Sequence, residues 1–139
     1  MAIKLFVNLP VKDLQKSVDF FTRLGFEFDP RFTDDKATCM IIGADSAVML
    51  LVESRFKEFT KKEIATATTH TETILALSAD SREAVDEMVG KALDAGGQPS
   101  NEPTDMGGMY GWSFQDIDGH LWEVVWMDSN VLAVETTEH

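Results

Sequence analysis

The feature that most constrains this chain is a pattern written twice. "IKLFVNLPV", Ile3 to Val11, reads as a strand, and "KDLQKSVDFFTRLGF" follows with Leu14, Val18, Phe21 and Leu24 at helical spacing. Asp13 suits the N-cap of that helix and Gly25 its stop. "FEFDPRF", "ATCMIIG" and "AVMLLVE" then read as three strands parted by turn residues. The order recurs with a period of about 70 residues, a duplication visible in the succession of elements rather than in residue identity. "ETILALSAD" (Glu72 to Asp80) is the second strand of this kind, and "SREAVDEMVGKALDAGG" the second helix, with Val85, Met88, Val89 and Leu93 as its apolar stripe. Asp80 is expected as its N-cap, paired with Glu83 in a capping box, and Gly96-Gly97 as its end. A short strand near "GQPSNEP" and then "MYGWSFQD" and "HLWEVVWM" complete the copy.

This order predicts an α+β chain of two β-α-β-β-β modules in one domain over residues 1–139. Module one runs to about residue 54, a connector covers 55–70, module two covers 71–128, and 129–139 form a tail. The polar connector "ESRFKEFTKKEIATATTHT" is expected to hold one short helix around Lys61 to Ala67. In the tail, Val131 and Leu132 are candidates for packing on a second copy in a homodimer.

With 24 acidic against 12 basic residues, the formal charge is −12. That argues against nucleic acid and anionic membranes as partners, because phosphate recognition needs clustered Lys and Arg. The single cysteine, Cys39, cannot form a disulfide within the chain, and in "ATCMII" it reads as a small buried hydrophobe. The opening "MAIKLFVNLPV" enters a strand without an apolar h-region, so no signal peptide is expected and the cytoplasm is the default location.

One stretch demands a reason of its own. In "DIDGHLWEVVW" a tight turn, Asp116 to Gly119, leads into a strand carrying one carboxylate, Glu123, among bulky apolar residues. Such an acid is costly to bury without a partner or a task.

The two modules, the "D-x-DG-x-x-x-E" run ending at Glu123 and the opening "VxDLQKSVDFFTRLGF" together resemble the vicinal oxygen chelate superfamily. That group includes glyoxalase I, bleomycin-resistance proteins, fosfomycin-resistance enzymes and extradiol dioxygenases. The resemblance spans nearly the whole chain. It implies two sheets curved into a half-barrel around a cavity, helices outside, and in metal-using members a divalent cation held by four residues. The cation stabilises negative charge developing on adjacent substrate oxygens.

Position by position, the resemblance places Glu123 at the last ligand. The others fall on Phe6, Leu50 and Ile74, whose hydrocarbon side chains offer no lone pairs. A shift of two residues along the strand would bring Glu72, or His70 beyond it, toward the cavity instead, giving Glu123 with Glu72 or His70 as an alternative metal set. If the turn is four residues long, Trp112 lies opposite Glu123, Tyr110 opposite Val125 and Phe114 opposite Leu121. The expected cavity lining is then Phe6, Asn8, Leu50, Ile74, Tyr110, Trp112 and Glu123. Trp122, Val124 and Trp126 fall on the other parity, under the helices.

The lining implies a pocket for a flat or cationic organic molecule, held by stacking and cation–π attraction. The expected function is therefore metal-free binding or sequestration of a small molecule, with no cofactor. The alternative is a divalent-metal lyase, thiol transferase or dioxygenase of the glyoxalase I type. If there is turnover without metal, Glu123 is the best candidate for a catalytic base.

Overall fold

The computed structural model describes residues 3–129. Two compact units divide between Thr66 and Ala67, inside the expected connector. The tail residues Val131 and Leu132 lie outside the described residues.

The first unit starts with β1 (Leu5–Val11), then α1 (Leu14–Leu24) and β2 (Glu27–Asp29). Asp13 caps α1 as expected, its carboxylate accepting the Lys16 N–H, and Gly25 ends the helix at φ 105°, a conformation only glycine adopts freely. The predicted strand "FEFDPRF" survives only to Asp29. Pro30, which has no N–H for a ladder, opens a 3₁₀ turn (Pro30–Phe32) instead. β3 (Ala37–Gly43) and β4 (Ser46–Val52) follow as a hairpin, and the sheet order is β1-β4-β3-β2. Helix α2 (Glu53–Phe56) and a 3₁₀ turn (Lys57–Phe59) come earlier than the short helix expected around Lys61 to Ala67, which is absent. There the Thr60 hydroxyl accepts the Lys62 N–H, a local bond that competes with helix formation.

The second unit repeats the plan with one short strand more, β7: β5 (Ile74–Ser78), α3 (Arg82–Asp94), β6 (Gln98–Pro99), β7 (Thr104–Asp105), β8 (Met109–Gln115) and β9 (Leu121–Met127). Its sheet runs β5-β9-β8-β6, with β7 also paired to β8. The cap of α3 is Ser81, whose hydroxyl accepts the Ala84 N–H, and not Asp80. Both residue types cap well; Ser81 is the one whose backbone is extended at the helix entrance. The caps Asp13 and Ser81 stand 68 residues apart, as do the first helical residues Leu14 and Arg82. That offset makes Asn8 of β1 the counterpart of Ala76 of β5.

In each unit one sheet face packs on the helix. Leu9, Met40, Val48 and Leu50 are buried with Phe20, Phe21 and Leu24 of α1. Phe114, Trp122 and Val124 are fully buried with Val85 and Val89 of α3, the rings of Phe114 and Trp122 stacked at 6.3 Å. Apolar area removed from water on these faces is the main force holding each unit together. The opposite face of each sheet carries Phe6 and Asn8 in the first unit and Ile74 and Glu123 in the second. None of the described helices is long and apolar enough to cross a membrane.

Candidate functional site

The position of Glu123 is decided by the turn before it. Asp116 is buried, and its Oδ1 accepts the N–H groups of Asp118 (2.9 Å) and His120 (3.0 Å). Its Oδ2 accepts the indole N–H of Trp122 at 2.9 Å. Burial pushes the Asp116 carboxyl above its ordinary range, while the His120 charge and these donors pull the other way. The Asp116 N–H also donates to the His120 carbonyl, so the loop closes over five residues, not four. Gly119 completes it at φ 91°, with the backbone of Ala67 and Thr68 so close that a Cβ would lie 3.0 Å from three of its atoms.

The extra residue shifts the register by one. Ser113 faces Glu123, Trp112 faces Val124, Tyr110 faces Trp126 and Phe114 faces Trp122. The expected pairings of Trp112 with Glu123, Tyr110 with Val125 and Phe114 with Leu121 are thereby corrected. A slip of one residue moves every side chain of a strand to the other face. Tyr110 and Trp112 accordingly lie on the helix side with Trp122, Val124 and Trp126. The Tyr110 hydroxyl donates to Asp86 of α3 at 2.5 Å, a bond that raises its pKa, and the Arg82 guanidinium lies 4.9 Å above the Trp126 ring. The face that carries Glu123 presents Ser113 and Val125 beside it, with Ile74 and Ala76 from β5. Ile74 is exposed, and the Glu123 carboxylate makes no hydrogen bond or ion pair among the described residues.

In the first unit, Phe6 and Asn8 share the face turned away from α1 and are both exposed. Leu50 does not join them. It pairs with Leu9 and Thr38 on the helix side and has no exposed surface, so its expected place in the lining is corrected too. Met49, paired with Asn8 and Cys39, is the residue of β4 on the Phe6 face. As in the β8–β9 hairpin, one residue along a strand is the whole difference between two faces.

This same face of the first unit holds a depression of about 440 Å³. Phe6 of β1, Ala47 of β4 and Ile41 of β3 lie in adjacent register across it. Its rim includes Lys4 and Asp45, and at the β2 end Asp29, Arg31 and Phe32. Asp29 and Arg31 form a two-bond pair, Nε to Oδ1 at 3.1 Å and Nη2 to Oδ2 at 2.7 Å. The hydrogen bonds from the Arg31 side chain and backbone hold the Asp29 carboxyl below the usual carboxylate range. Cys39 lies in the wall, its thiol pushed up by burial, a shift that disfavours the nucleophilic thiolate. Of this group sequence reasoning found Phe6 alone. The available signal was the small-residue run "GADSA" between two apolar strands, beside "DPRF".

Among the described residues no three His, Cys, Asp or Glu side chains gather where an ion could sit. Glu123 has aliphatic and hydroxyl neighbours on its face. His70 and Glu72 lie before β5, both exposed, with His70 Nδ1 engaged by the Thr69 hydroxyl at 2.8 Å. In the first unit Phe6 and Met49, and in the second Ile74, offer only hydrocarbon and one thioether on these faces, and a thioether is too soft for a hard divalent cation.

The sequence profile of the Glyoxalase/Bleomycin resistance protein/Dioxygenase superfamily matches residues 5–124. Among solved structures, hypothetical protein SA1046 from S. aureus is 32% identical, with TM-score 0.77 over 91% of this chain and 95% of that one. A glyoxalase/bleomycin resistance protein/dioxygenase family enzyme from Burkholderia phytofirmans PsJN is 16% identical (TM-score 0.74; 91% and 99% covered). The fosfomycin resistance protein FosX from Listeria monocytogenes is 23% identical (TM-score 0.65; 91% of each chain), a likeness of fold. No match was found among curated proteins.

Proposed function

This chain belongs to the Glyoxalase/Bleomycin resistance protein/Dioxygenase superfamily, and from that premise we propose that it binds a small, flat organic molecule without a metal ion. The observation that carries this reading is the chemistry of the non-helix face of each unit: in the first, Phe6 and Met49 turn hydrocarbon and a thioether outward, and in the second, Ile74 shares a face with Glu123, which makes no hydrogen bond or ion pair among the described residues. Exposed aromatic and aliphatic side chains beside few polar groups are the usual composition of a small-ligand site.

The magnitudes favour binding of modest strength. A two-ring ligand that buries about 200 Å² of apolar area would gain about 5 kcal/mol, equivalent to a dissociation constant of about 0.2 mM before ordering costs. Polar contacts must supply the remainder. Sequestration needs no turnover, so Glu123 would act by holding a donor or a positive group of the ligand rather than by moving a proton. No cofactor takes part, and the protein works as a homodimer in the cytoplasm.

Two measurements test this together. Elemental analysis of purified protein, before and after incubation with nickel, zinc, manganese and iron salts, is expected to find no near-stoichiometric metal. A thermal-shift screen of planar aromatics is expected to raise the melting temperature with at least some of them. Stoichiometric metal lost on changing Glu123 to Gln would overturn the reading in favour of a metal-dependent lyase, thiol transferase or dioxygenase. A screen without any stabilisation would also overturn it.

A further inference from the structure

The depression on the first unit has a floor, two walls and a charged rim, and their chemistry defines what would fill it. The floor is built of small side chains: Ala47 and Ser46 of β4, with Gly43 at the end of β3 and Ala44 of the hairpin turn beside them. Phe6 and Ile41 flank Ala47 on the two neighbouring strands, and each keeps about half of its surface exposed, 55% and 43%. Strands two apart are separated by about 9.6 Å, so a methyl between a benzyl and a sec-butyl group leaves a slot for one flat ring system. Phe32, 56% exposed, stands at the same depression.

The rim is not electrically neutral in its effect. Asp29 spends both carboxylate oxygens on Arg31, its side chain only 15% exposed, and so has little left for a ligand. Arg31 uses Nε and Nη2 in that pair, and its guanidinium also lies over the Phe32 ring at 5.4 Å. With Nε and Nη2 engaged and its side chain 78% exposed, the guanidinium keeps Nη1 outside that pair, and the two-bond clamp restricts the side chain before an anion binds. Lys4, on the same rim, makes no ion pair among the described residues. Asp45 is the opposing charge.

We infer that this depression takes an aromatic carboxylate, its rings on Ala47 between Phe6 and Ile41 and its carboxylate at the Arg31 and Lys4 edge. The inference rests on the small-molecule reading above and names the ligand class for it. The direction of charge is opposite to what the acidic composition suggests, because local side chains and not the net charge meet the ligand.

The test is calorimetric titration of the full chain with three probes of one shape: 2-naphthoate, 2-naphthylmethanol and (2-naphthyl)trimethylammonium. The carboxylate is expected to bind about tenfold tighter than the alcohol, and the ammonium more weakly than either. The double variant Lys4→Gln/Arg31→Gln should remove that tenfold advantage and leave the alcohol's affinity unchanged. Ala47→Leu, which raises the floor, should weaken all three. Should that variant not fold, Ile41→Gln at its exposed wall position serves the same purpose.

Tightest binding by the ammonium, or carboxylate affinity indifferent to both sets of variants, overturns the inference. In the second case the ligand lies elsewhere and the small-molecule reading stands. If no naphthalene binds while the thermal-shift screen finds another ligand, the inference alone falls. If neither experiment finds a ligand, both readings fall.

Discussion

The indole N–H of Trp122 donates to the carboxylate of Asp116 at 2.9 Å, across a turn whose own N–H groups point at the same carboxylate. One buried acid thus closes the loop and anchors the first inward residue of β9. Replacing Asp116 by Ala would remove the acceptor of three hydrogen bonds, two from the backbone and one from a fully buried ring. A loss of about 2–4 kcal/mol in urea unfolding is expected, accompanied by a change in Trp fluorescence. Unchanged stability would mean that the turn is held by other contacts.

The same acid gives a pH dependence with a definite sign. Its carboxyl is raised in the folded chain from an ordinary value of 3.8, with burial as the leading cause. A raised acid contributes stability that is complete below its unfolded pKa and lost as pH rises through its folded pKa. Asp116→Asn lacks this loss. Its stability deficit relative to the parent chain should therefore shrink as pH climbs from about 4 toward neutrality, measured by urea unfolding at several pH values. A deficit that widens with pH would show the donors outweighing burial.

Gly119 is constrained twice, by φ 91° and by the backbone of Ala67 and Thr68 at 3.0 Å from any Cβ. Gly119→Ala is expected to cost about 2–4 kcal/mol, more than the backbone penalty alone, because rigid main chain cannot yield as a side chain would. Gly25, also at positive φ but with nothing within 4 Å of a Cβ, is the control. Its Ala variant should lose about 1 kcal/mol. Equal losses at the two sites would remove the close-approach argument.

Arg82 ties the loop before β8 to α3. Its Nη2 donates to the Gly107 carbonyl at 2.6 Å and to Asp105 at 3.2 Å, while its plane lies over Trp126. Lysine keeps the charge but loses the planar fork. Arg82→Lys should lower stability by about 1–2 kcal/mol and speed amide exchange at Met106 and Gly107. Unaltered exchange there would free the loop from this clamp.

Unlike α2 and β7, the two β-α-β starts, the spans of α1 and α3, the Asp13 cap and the Gly25 and Gly96 exits were legible in the sequence. Each depends on contacts within a few residues: apolar spacing, a side chain reaching three residues along, a glycine at a left-handed turn. Ser81 and Asp80 show the limit of that reading, since both can cap and only the path of the chain chooses. The superfamily could be read for the same reason, because order and spacing are what the two modules share.

Which side chains stand together was another matter. Alternation along β4 cannot say whether Leu50 or Met49 faces away from the helix, because both are apolar and only pairing with Asn8 and Thr38 decides. The five-residue turn at Asp116 is set by a buried carboxylate collecting two backbone donors and a distant indole, and a slip of one there transfers Tyr110 and Trp112 from Glu123's face to α3. Local sequence thus determined the elements and their succession. Faces, register and the Ala47 depression were decided by how the strands pair, because strand side chains repeat every two residues and a single step of register inverts them all.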